Sequence, residues 1–79
     1  MNKFDNFIDY LKGEKRTYFS VDFTFIEEMI GEKLCPSAYK YTAYWHHDGV
    51  HQFAKLIAEA GFLVKPDLKN QRIQLERIR

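Results

Sequence analysis

The sequence predicts a small α+β domain in which short helices are combined with one early strand and a C-terminal hairpin. Apolar residues recur at helical spacing in three separate stretches, and a glycine follows each of them. β-Branched and aromatic residues are concentrated over residues 17–21 and near the C-terminal end. A chain of 79 residues has room for one small core, so we expect residues 1–79 to form a single domain.

The first helix is predicted from an apolar stripe close to the N-terminus. Its members are spaced i, i+3, i+4, i+7, which places them on one helix face: Phe4, Phe7, Ile8 and Leu11. Asn2 is expected to cap this helix and Gly13 to end it. The β-branched and aromatic residues that follow predict a strand over Thr17–Val21.

The second helix is predicted from a capping box, in which Thr24 and Glu27 each satisfy a backbone amide at the helix start. Gly31 is expected to end it. Its apolar stripe is Phe25, Ile26, Met29 and Ile30.

A further helix and a hairpin are predicted in the second half of the chain. Asp48 is expected to cap the helix and Gly61 to close it. The helix carries its own apolar stripe: Val50, Phe53, Ala54 and Ile57. The stretches FLVK and RIQLERI, with a turn within Pro66–Gln71, then predict two antiparallel strands. In the second strand, Ile73 and Leu75 share one face.

The segment between the second and third apolar stripes, SAYKYTAYWHHDGVH, combines three tyrosines with the tryptophan and all three histidines. If residues 37–47 are helical, two stripes result. Ala38, Tyr41 and Trp45 would face the core. Lys40, Tyr44 and His47 would form a second, polar stripe.

Charge is unevenly distributed along this nearly neutral chain. The formal net charge is +1, but residues 1–32 hold four basic and seven acidic side chains, and residues 33–79 hold eight basic and four acidic. Such polarisation can present a basic face to phosphate groups. The same asymmetry also occurs in small proteins by chance, and the basic half is well below the charge of a dedicated nucleic-acid binder.

The leading functional hypothesis is nucleic-acid binding, with DNA a better candidate than RNA. Lysines supply the salt-dependent attraction to phosphates, and aromatic rings can stack on bases. A glutamine on a helix can read an adenine edge in the major groove. The candidate contacts are Lys40, Tyr44, His47, Gln52, Lys55, Lys69 and Arg72.

The alternative is a protein-interaction module held by Tyr44 and Trp45, because large aromatic side chains are favoured anchors at interfaces. One such module would be a phage or mobile-element protein that inhibits or regulates a host nuclease or defence protein. A homodimer is also compatible with the sequence. A third interpretation assigns the aromatic segment to structural packing alone.

Catalysis, metal binding and membrane insertion are not expected. No catalytic constellation is present, and Cys35 is interpreted as a small buried hydrophobe at a helix start. His47 and His51 are four residues apart, but Asp48-Gly49 interrupts any helix between them, so we expect no metal and no cofactor. One cysteine allows no intrachain disulfide, and no apolar run approaches about 18 residues, so a cytoplasmic location is expected.

The order of the predicted elements resembles that of a winged helix, which has a helix, a strand, two helices in a helix-turn-helix relation and a two-stranded wing. FAKLIAEAGFLVK looks like the end of a winged-helix recognition helix. The resemblance implies DNA binding through that helix and the hairpin. One departure is the sixteen residues between Gly31 and Asp48, where a helix-turn-helix has a tight turn.

The chain is also similar to a group of small uncharacterised bacterial and phage proteins. The shared pattern is a Pro-Ser-Ala, an aromatic–Trp pair, a histidine before an Ala-Lys helix, and an Ala-Gly-aromatic helix end. That group commonly has tryptophan where Tyr44 stands. The matching positions are Pro36, Ser37, Ala38, Tyr44, Trp45, His51, Ala54, Lys55, Ala60, Gly61 and Phe62.

Overall fold

A computed structural model describes residues 2–78 and shows a small α+β domain with four α-helices and a three-stranded antiparallel sheet over that range. None of the helices in this range is long and apolar enough to cross a membrane. The elements in chain order are α1 Asp5–Gly13, β1 Tyr18–Asp22, α2 Phe23–Ile30, α3 Pro36–Lys40, a 3₁₀ turn Thr42–Trp45, α4 Gln52–Glu59, β2 Phe62–Asp67 and β3 Arg72–Arg77.

The sheet has the order β1-β3-β2, so the last strand lies in the centre and β1 and β2 are the two edges. Directly paired residues point to the same face, and β3 alternates between buried and more exposed positions. Ile73 and Leu75 are fully buried on one face, which confirms the prediction that they share it. The other face, called the open sheet face, consists of Tyr18, Ser20, Asp22, Leu63, Lys65, Asp67, Arg72, Gln74 and Glu76.

α1 buries its predicted apolar stripe, but its N-terminus differs from the prediction. All four stripe residues lie in the core. The helix begins at Asp5, and Phe4 occupies the N-cap position without a side-chain cap. Asn2 instead accepts a hydrogen bond from the Phe4 amide at 2.9 Å, while its own amide donates to Asp5. The side chains of Asn2 and Asp5 therefore accept backbone amides of the turn that precedes the helix.

α2 is capped by Asp22, so the predicted capping box of Thr24 and Glu27 is wrong. The Asp22 carboxylate accepts the Phe25 amide at 2.7 Å, which starts the helix immediately after β1. Gly31 ends α2 as predicted, with φ of 81° in the left-handed region. The strand before it, predicted over 17–21, lies one residue later.

The predicted helix over residues 37–47 is interrupted at Tyr41. That residue is extended, with φ of −126° and ψ of 124°, and it separates α3 from the 3₁₀ turn. The break returns the chain on itself, so that the Trp45 indole N–H reaches the Ala38 carbonyl oxygen at 3.1 Å. Both predicted stripes are therefore wrong as continuous surfaces. Ala38 and Trp45 are buried, whereas Tyr41 is 61% exposed.

α4 starts at Gln52, later than the sequence pattern suggests. His51 is its N-cap residue and makes no side-chain cap bond, so Asp48 does not cap the helix. Val50 precedes the helix and is 87% exposed, whereas the rest of the predicted stripe is buried. Gly49 closes a turn by donating its amide to the His46 carbonyl at 3.0 Å, and this turn delays the helix start.

The core between the sheet and the helices is rich in aromatic residues. Phe4 of the first turn stacks on Phe53 of α4 with ring centroids 4.3 Å apart. Phe23 stacks on Trp45 at 5.6 Å, and Trp45 contacts Phe53 at 5.7 Å. Through these contacts the Trp45 ring of the 3₁₀ turn links the start of α2 to α4, and Phe53 links α4 to the residue before α1.

Candidate functional site

The acidic side of the molecule is formed by α1 and α2, which pack against each other. Residues 5–13 and 23–32 carry five carboxylates against one lysine. Glu32 forms a salt bridge with Lys3 at 2.6 Å. This side would repel a polyanion.

The basic side is formed by residues 33–55, which run from the end of α2 to the middle of α4. This segment carries three lysines and three histidines against one carboxylate, that of Asp48. Lys33, Lys40 and Lys55 are exposed, and neither salt bridge within residues 2–78 involves them. Glu59, at the far end of α4, reduces the positive charge there. Lys33 lines one groove with the carboxylates of α2 and of Glu32, which offset its charge, so Lys40 and Lys55 are the lysines of this segment that lie away from them in sequence.

α4 presents two of the predicted contact residues together. Gln52 and Lys55 are three residues apart on the helix, and both are exposed. The buried residues of α4, namely Phe53, Ala54 and Ile57, hold the opposite side of the helix against the core. The predicted exposure of Gln52 and Lys55 opposite the apolar stripe is confirmed.

Lys40 and His47 are exposed on the segment that leads to α4. Lys40 is the last residue of α3. His47 lies in the turn after the 3₁₀ segment, next to His46 and Asp48. Their predicted arrangement on one helical stripe with Tyr44 is not found, because the extended backbone at Tyr41 separates them.

Tyr44 and Trp45 are core residues, as the interpretation of structural packing and the predicted inward position of Trp45 require, and their burial argues against the contact roles also predicted for them. Their exposed fractions are only 5% and 2%. The two rings meet edge to face at 4.9 Å, and the His51 ring lies 4.5 Å from the Tyr44 ring. Burial, with a smaller contribution from Cys35, raises the pKa of Tyr44 to about 12. Neither ring has the free face needed to stack on a base or to anchor a partner.

The hairpin turn carries Lys69 and Arg72 in different electrostatic settings. Lys69 is exposed in the turn between β2 and β3. Arg72 is paired in register with Asp22 on one side and Asp67 on the other, so two carboxylates offset its charge. The side chain of Asn70 donates to Asp67 at 2.9 Å. This bond, together with the Asn70 amide and the nearby Arg72 and Lys69, lowers the pKa of the Asp67 carboxyl against the opposing effect of burial.

The hairpin turn is also anchored to the rest of the domain. The Phe23 amide at the start of α2 donates to the Gln71 carbonyl at 2.8 Å. Leu68 packs against the core. A phosphate contact at this turn would therefore involve a fixed backbone.

A cleft of about 270 Å³ lies between β2, α4 and the turn after the 3₁₀ segment. Its floor is apolar, and His46, His47 and Asp48 lie along its rim. No group of three or more histidine, cysteine, aspartate or glutamate residues within residues 2–78 has an arrangement that could hold a metal ion. What the cleft offers is an apolar recess with polar groups at its edge.

A second groove, of about 330 Å³, joins α3 to the residues that precede α4. Tyr41 and Val50, two of the most exposed large apolar residues, both line it. Cys35 is exposed at the start of α3, so the prediction that its thiol is buried is wrong.

The sequence does not predict a pair of hydrogen bonds to Glu27 that fixes the path of residues 31–39. The Glu27 carboxylate accepts the Leu34 amide at 2.9 Å and also the Tyr39 hydroxyl. Burial alone would raise the pKa of Glu27, but these two bonds lower it, and the bond to Glu27 raises the pKa of Tyr39 to about 12. The sequence pattern around Thr24 predicts a local capping role for Glu27. Only the path of residues 31–39 past α2 places it beside Tyr39.

Comparison with protein-family models, with curated proteins and with solved structures finds no match to this chain.

Proposed function

We propose that this protein is a small nucleic-acid-binding module of bacterial or phage origin, with duplex DNA as its preferred ligand. The observation that supports the proposal is the exposure of Lys40 on α3 and Lys55 on α4, which take part in neither salt bridge within residues 2–78. Five carboxylates belong instead to residues 5–13 and 23–32, which contain α1 and α2. A polyanion would be attracted to the exposed lysines and repelled by the carboxylates, which would orient the complex.

The contacts proposed at this surface are Lys40, His47, Gln52 and Lys55. The lysines would neutralise phosphates, and each one would release condensed counterions. Gln52 and Lys55 lie on the same exposed side of α4, where a helix can face a groove while its other side stays in the core. Lys69, in the hairpin turn, would add one further phosphate contact, whereas Arg72 contributes less because Asp22 and Asp67 flank it.

The proposal assigns the chain to a winged-helix-like arrangement, with α4 as the recognition helix and the β2–β3 hairpin as a short wing. The order of helices and strands supports this assignment. The chain departs from the pattern because residues 31–51, which include α3 and the 3₁₀ turn, stand where a tight turn would join the two helices. The hairpin turn also lies against the start of α2.

The test is the salt dependence of binding to a fluorescently labelled duplex of about 20 base pairs, followed by anisotropy. Neutralisation of three phosphates predicts a log–log slope of about −2.7 for the association constant against salt concentration. No binding at the lowest salt, at protein concentrations up to about 100 μM, would refute the proposal, because even non-specific affinities lie in this range.

Two matched variants locate the surface. Lys55→Ala removes one cation from the basic side, and we expect the slope to become less steep by about 0.9. Lys12→Ala removes the same charge from the end of α1, on the acidic side, and should leave the slope unchanged. Equal effects of the two variants would show that binding does not depend on the proposed surface.

A second candidate function is protein interaction, and the exposed Tyr41 and Val50 in the groove beside α3 favour it. Large exposed apolar side chains that share one groove are typical of a protein contact. The partner could be a host nuclease or defence protein, as expected from the sequence. Such a complex would tolerate salt and would weaken on Tyr41→Ala, whereas the DNA complex would respond to salt and to Lys55→Ala.

A further inference from the structure

The hydrogen bonds of the central strand, β3, show which residues of β2 direct their backbone N–H and C=O groups away from the sheet. The Arg77 amide donates to Thr17 on the β1 side at 2.8 Å. The next amide, that of Ile78, donates to Gly61 on the β2 side at 2.8 Å. Successive residues of an antiparallel strand direct their backbone groups to opposite neighbours, so the odd-numbered residues of β3 bond to β1 and the even-numbered ones to β2.

The same alternation assigns the backbone of β2. Leu63, Lys65 and Asp67 are paired with even-numbered residues of β3 and direct their amides and carbonyls into the sheet. The residues between them, Phe62, Val64 and Pro66, direct theirs to the outer edge. No backbone or side-chain hydrogen bond within residues 2–78 satisfies these outer groups.

The apolar cleft opens beside these outer groups. Phe62 and Val64 line it from the strand, and Ala54 and Ala58 line it from α4. The two alanines are four residues apart on one side of the helix, and their small side chains leave the recess between the helix and the strand. A free strand edge and a side-chain recess therefore lie next to each other.

We propose that β2 and this cleft bind a short extended peptide segment of a partner protein, which adds a fourth strand to the sheet. The amide and carbonyl of Val64 would form a pair of hydrogen bonds with one residue of the peptide. Directly paired residues point to the same face, so that residue directs its side chain to the side of Val64 that faces α4, into the cleft. The floor of Ala54, Ala58 and Phe62 selects an apolar side chain at this position.

The sequence of β2 limits the length of the added strand. Pro66 is the next residue with outward backbone groups, and it has no N–H to donate. Phe62 is only 1% exposed, so its outward groups are not accessible and the pairing is centred on Val64, which corresponds to a segment of about three residues. Proline and Lys65 also discourage long, unselective pairing between edges.

The other edge of the sheet does not offer an equivalent site. β1 directs the backbone of Tyr18, Ser20 and Asp22 outward, but Asp22 already caps α2, and α2 begins at the next residue. None of these residues lines the apolar cleft. The recess distinguishes β2 from β1. The proposal does not depend on nucleic-acid binding.

The first experiment measures amide hydrogen exchange in the free protein by NMR. We expect slow exchange at Leu63 and Lys65, whose amides lie in the ladder, and fast exchange at Val64. Protection of Val64 in dilute protein would overturn the proposal, because its amide would already have a partner. Protection that disappears on dilution would also overturn it and would assign the edge to a second copy of the chain.

The second experiment titrates the protein with the peptides acetyl-Ser-Thr-X-Thr-Lys-amide, where X is valine, phenylalanine or glycine. With X as valine or phenylalanine we expect amide shift changes centred on residues 62–64 and saturable binding. Glycine should bind roughly tenfold more weakly, because it leaves the recess unfilled. Affinities that do not depend on X, shift changes elsewhere, or no binding at about 10 mM peptide would each overturn the proposal.

Variants of the protein complete the test. Ala58→Leu fills the recess and should weaken binding of the valine peptide at least roughly tenfold. Lys55→Leu adds the same side chain to the exposed side of α4 and should leave peptide binding unchanged. Val64→Pro removes the outward amide without removing a ladder bond and should abolish binding. If this variant does not fold, Ala58→Leu and its control still decide the outcome, and equal affinities for these two variants would overturn the proposal.

Discussion

Replacement of Trp45 by phenylalanine tests whether the aromatic segment is structural. The Trp45 ring is almost fully buried, and its indole N–H donates to the Ala38 carbonyl at 3.1 Å across the break at Tyr41. Trp45→Phe keeps an aromatic ring but removes that donor. It also leaves a void beside Phe23 and Phe53, whose rings lie 5.6 and 5.7 Å from the indole.

The expected cost follows from these two losses. A buried carbonyl that loses its partner costs about 1–3 kcal/mol. The void left by the smaller ring adds about 1 kcal/mol, which gives a total of about 2–4 kcal/mol. A domain of this size has a total stability of only about 4–12 kcal/mol, so the variant should lose a large part of it.

The assay is urea unfolding followed by far-ultraviolet circular dichroism, because the variant has lost its tryptophan fluorescence. Tyr41→Ala is the matched control, since this exposed ring of the same segment should change the free energy of unfolding by less than about 0.5 kcal/mol. A Trp45→Phe variant within about 0.5 kcal/mol of the wild type would refute the structural role of the indole, as would a larger loss in the Tyr41 variant.

Three further predictions concern the helix ends and a buried tyrosine. Asp22→Ala removes the carboxylate that accepts the Phe25 amide, so urea unfolding should show a loss of about 0.5–2 kcal/mol. Gly31→Ala should cost about 1 kcal/mol because φ is positive there, whereas Gly13→Ala, with φ outside that region and open space around the Cβ, should be neutral or stabilising. Burial raises the pKa of Tyr44 to about 12. The contribution of the neutral tyrosine to stability is therefore complete below about pH 10 and is lost as the pH rises towards 12. Tyr44→Phe should flatten this alkaline decline in the free energy of unfolding and should remove a late step from the tyrosinate absorbance titration.

The elements that were predicted well are those defined by local pattern and confirmed by burial. The α1 stripe and the inward pair Ile73 and Leu75 depend on periodicity alone, and all of these side chains are buried. Gly31 ends α2 because the residue that follows a helix often adopts a positive φ, which glycine adopts without steric cost. In these cases the residues that fix the conformation are neighbours along the chain.

The errors occur where contacts between distant residues decide the local structure. Thr24 and Glu27 form a valid capping pattern, but Asp22 reaches the helix amides first and Glu27 bonds to Tyr39, twelve residues away. The periodicity of residues 37–47 fits a helix. In the structure, however, Tyr41 is extended and the chain folds back so that the Trp45 indole bonds to the Ala38 carbonyl. No local sequence pattern predicts this reversal.

Burial of the aromatic segment changes which features of the surface can carry function. With Tyr44 and Trp45 in the core, the surfaces proposed for recognition are the groove of Tyr41 and Val50, the lysines of residues 33–55 and the outer edge of β2. The last two surfaces are expected to respond differently to ionic strength. Phosphate contacts weaken steeply as salt rises, whereas backbone hydrogen bonds and burial of an apolar side chain do not depend on counterion release. Measurement of DNA and peptide binding at roughly 50 and 300 mM salt therefore separates them: loss of the first with retention of the second would require two independent surfaces on one small domain.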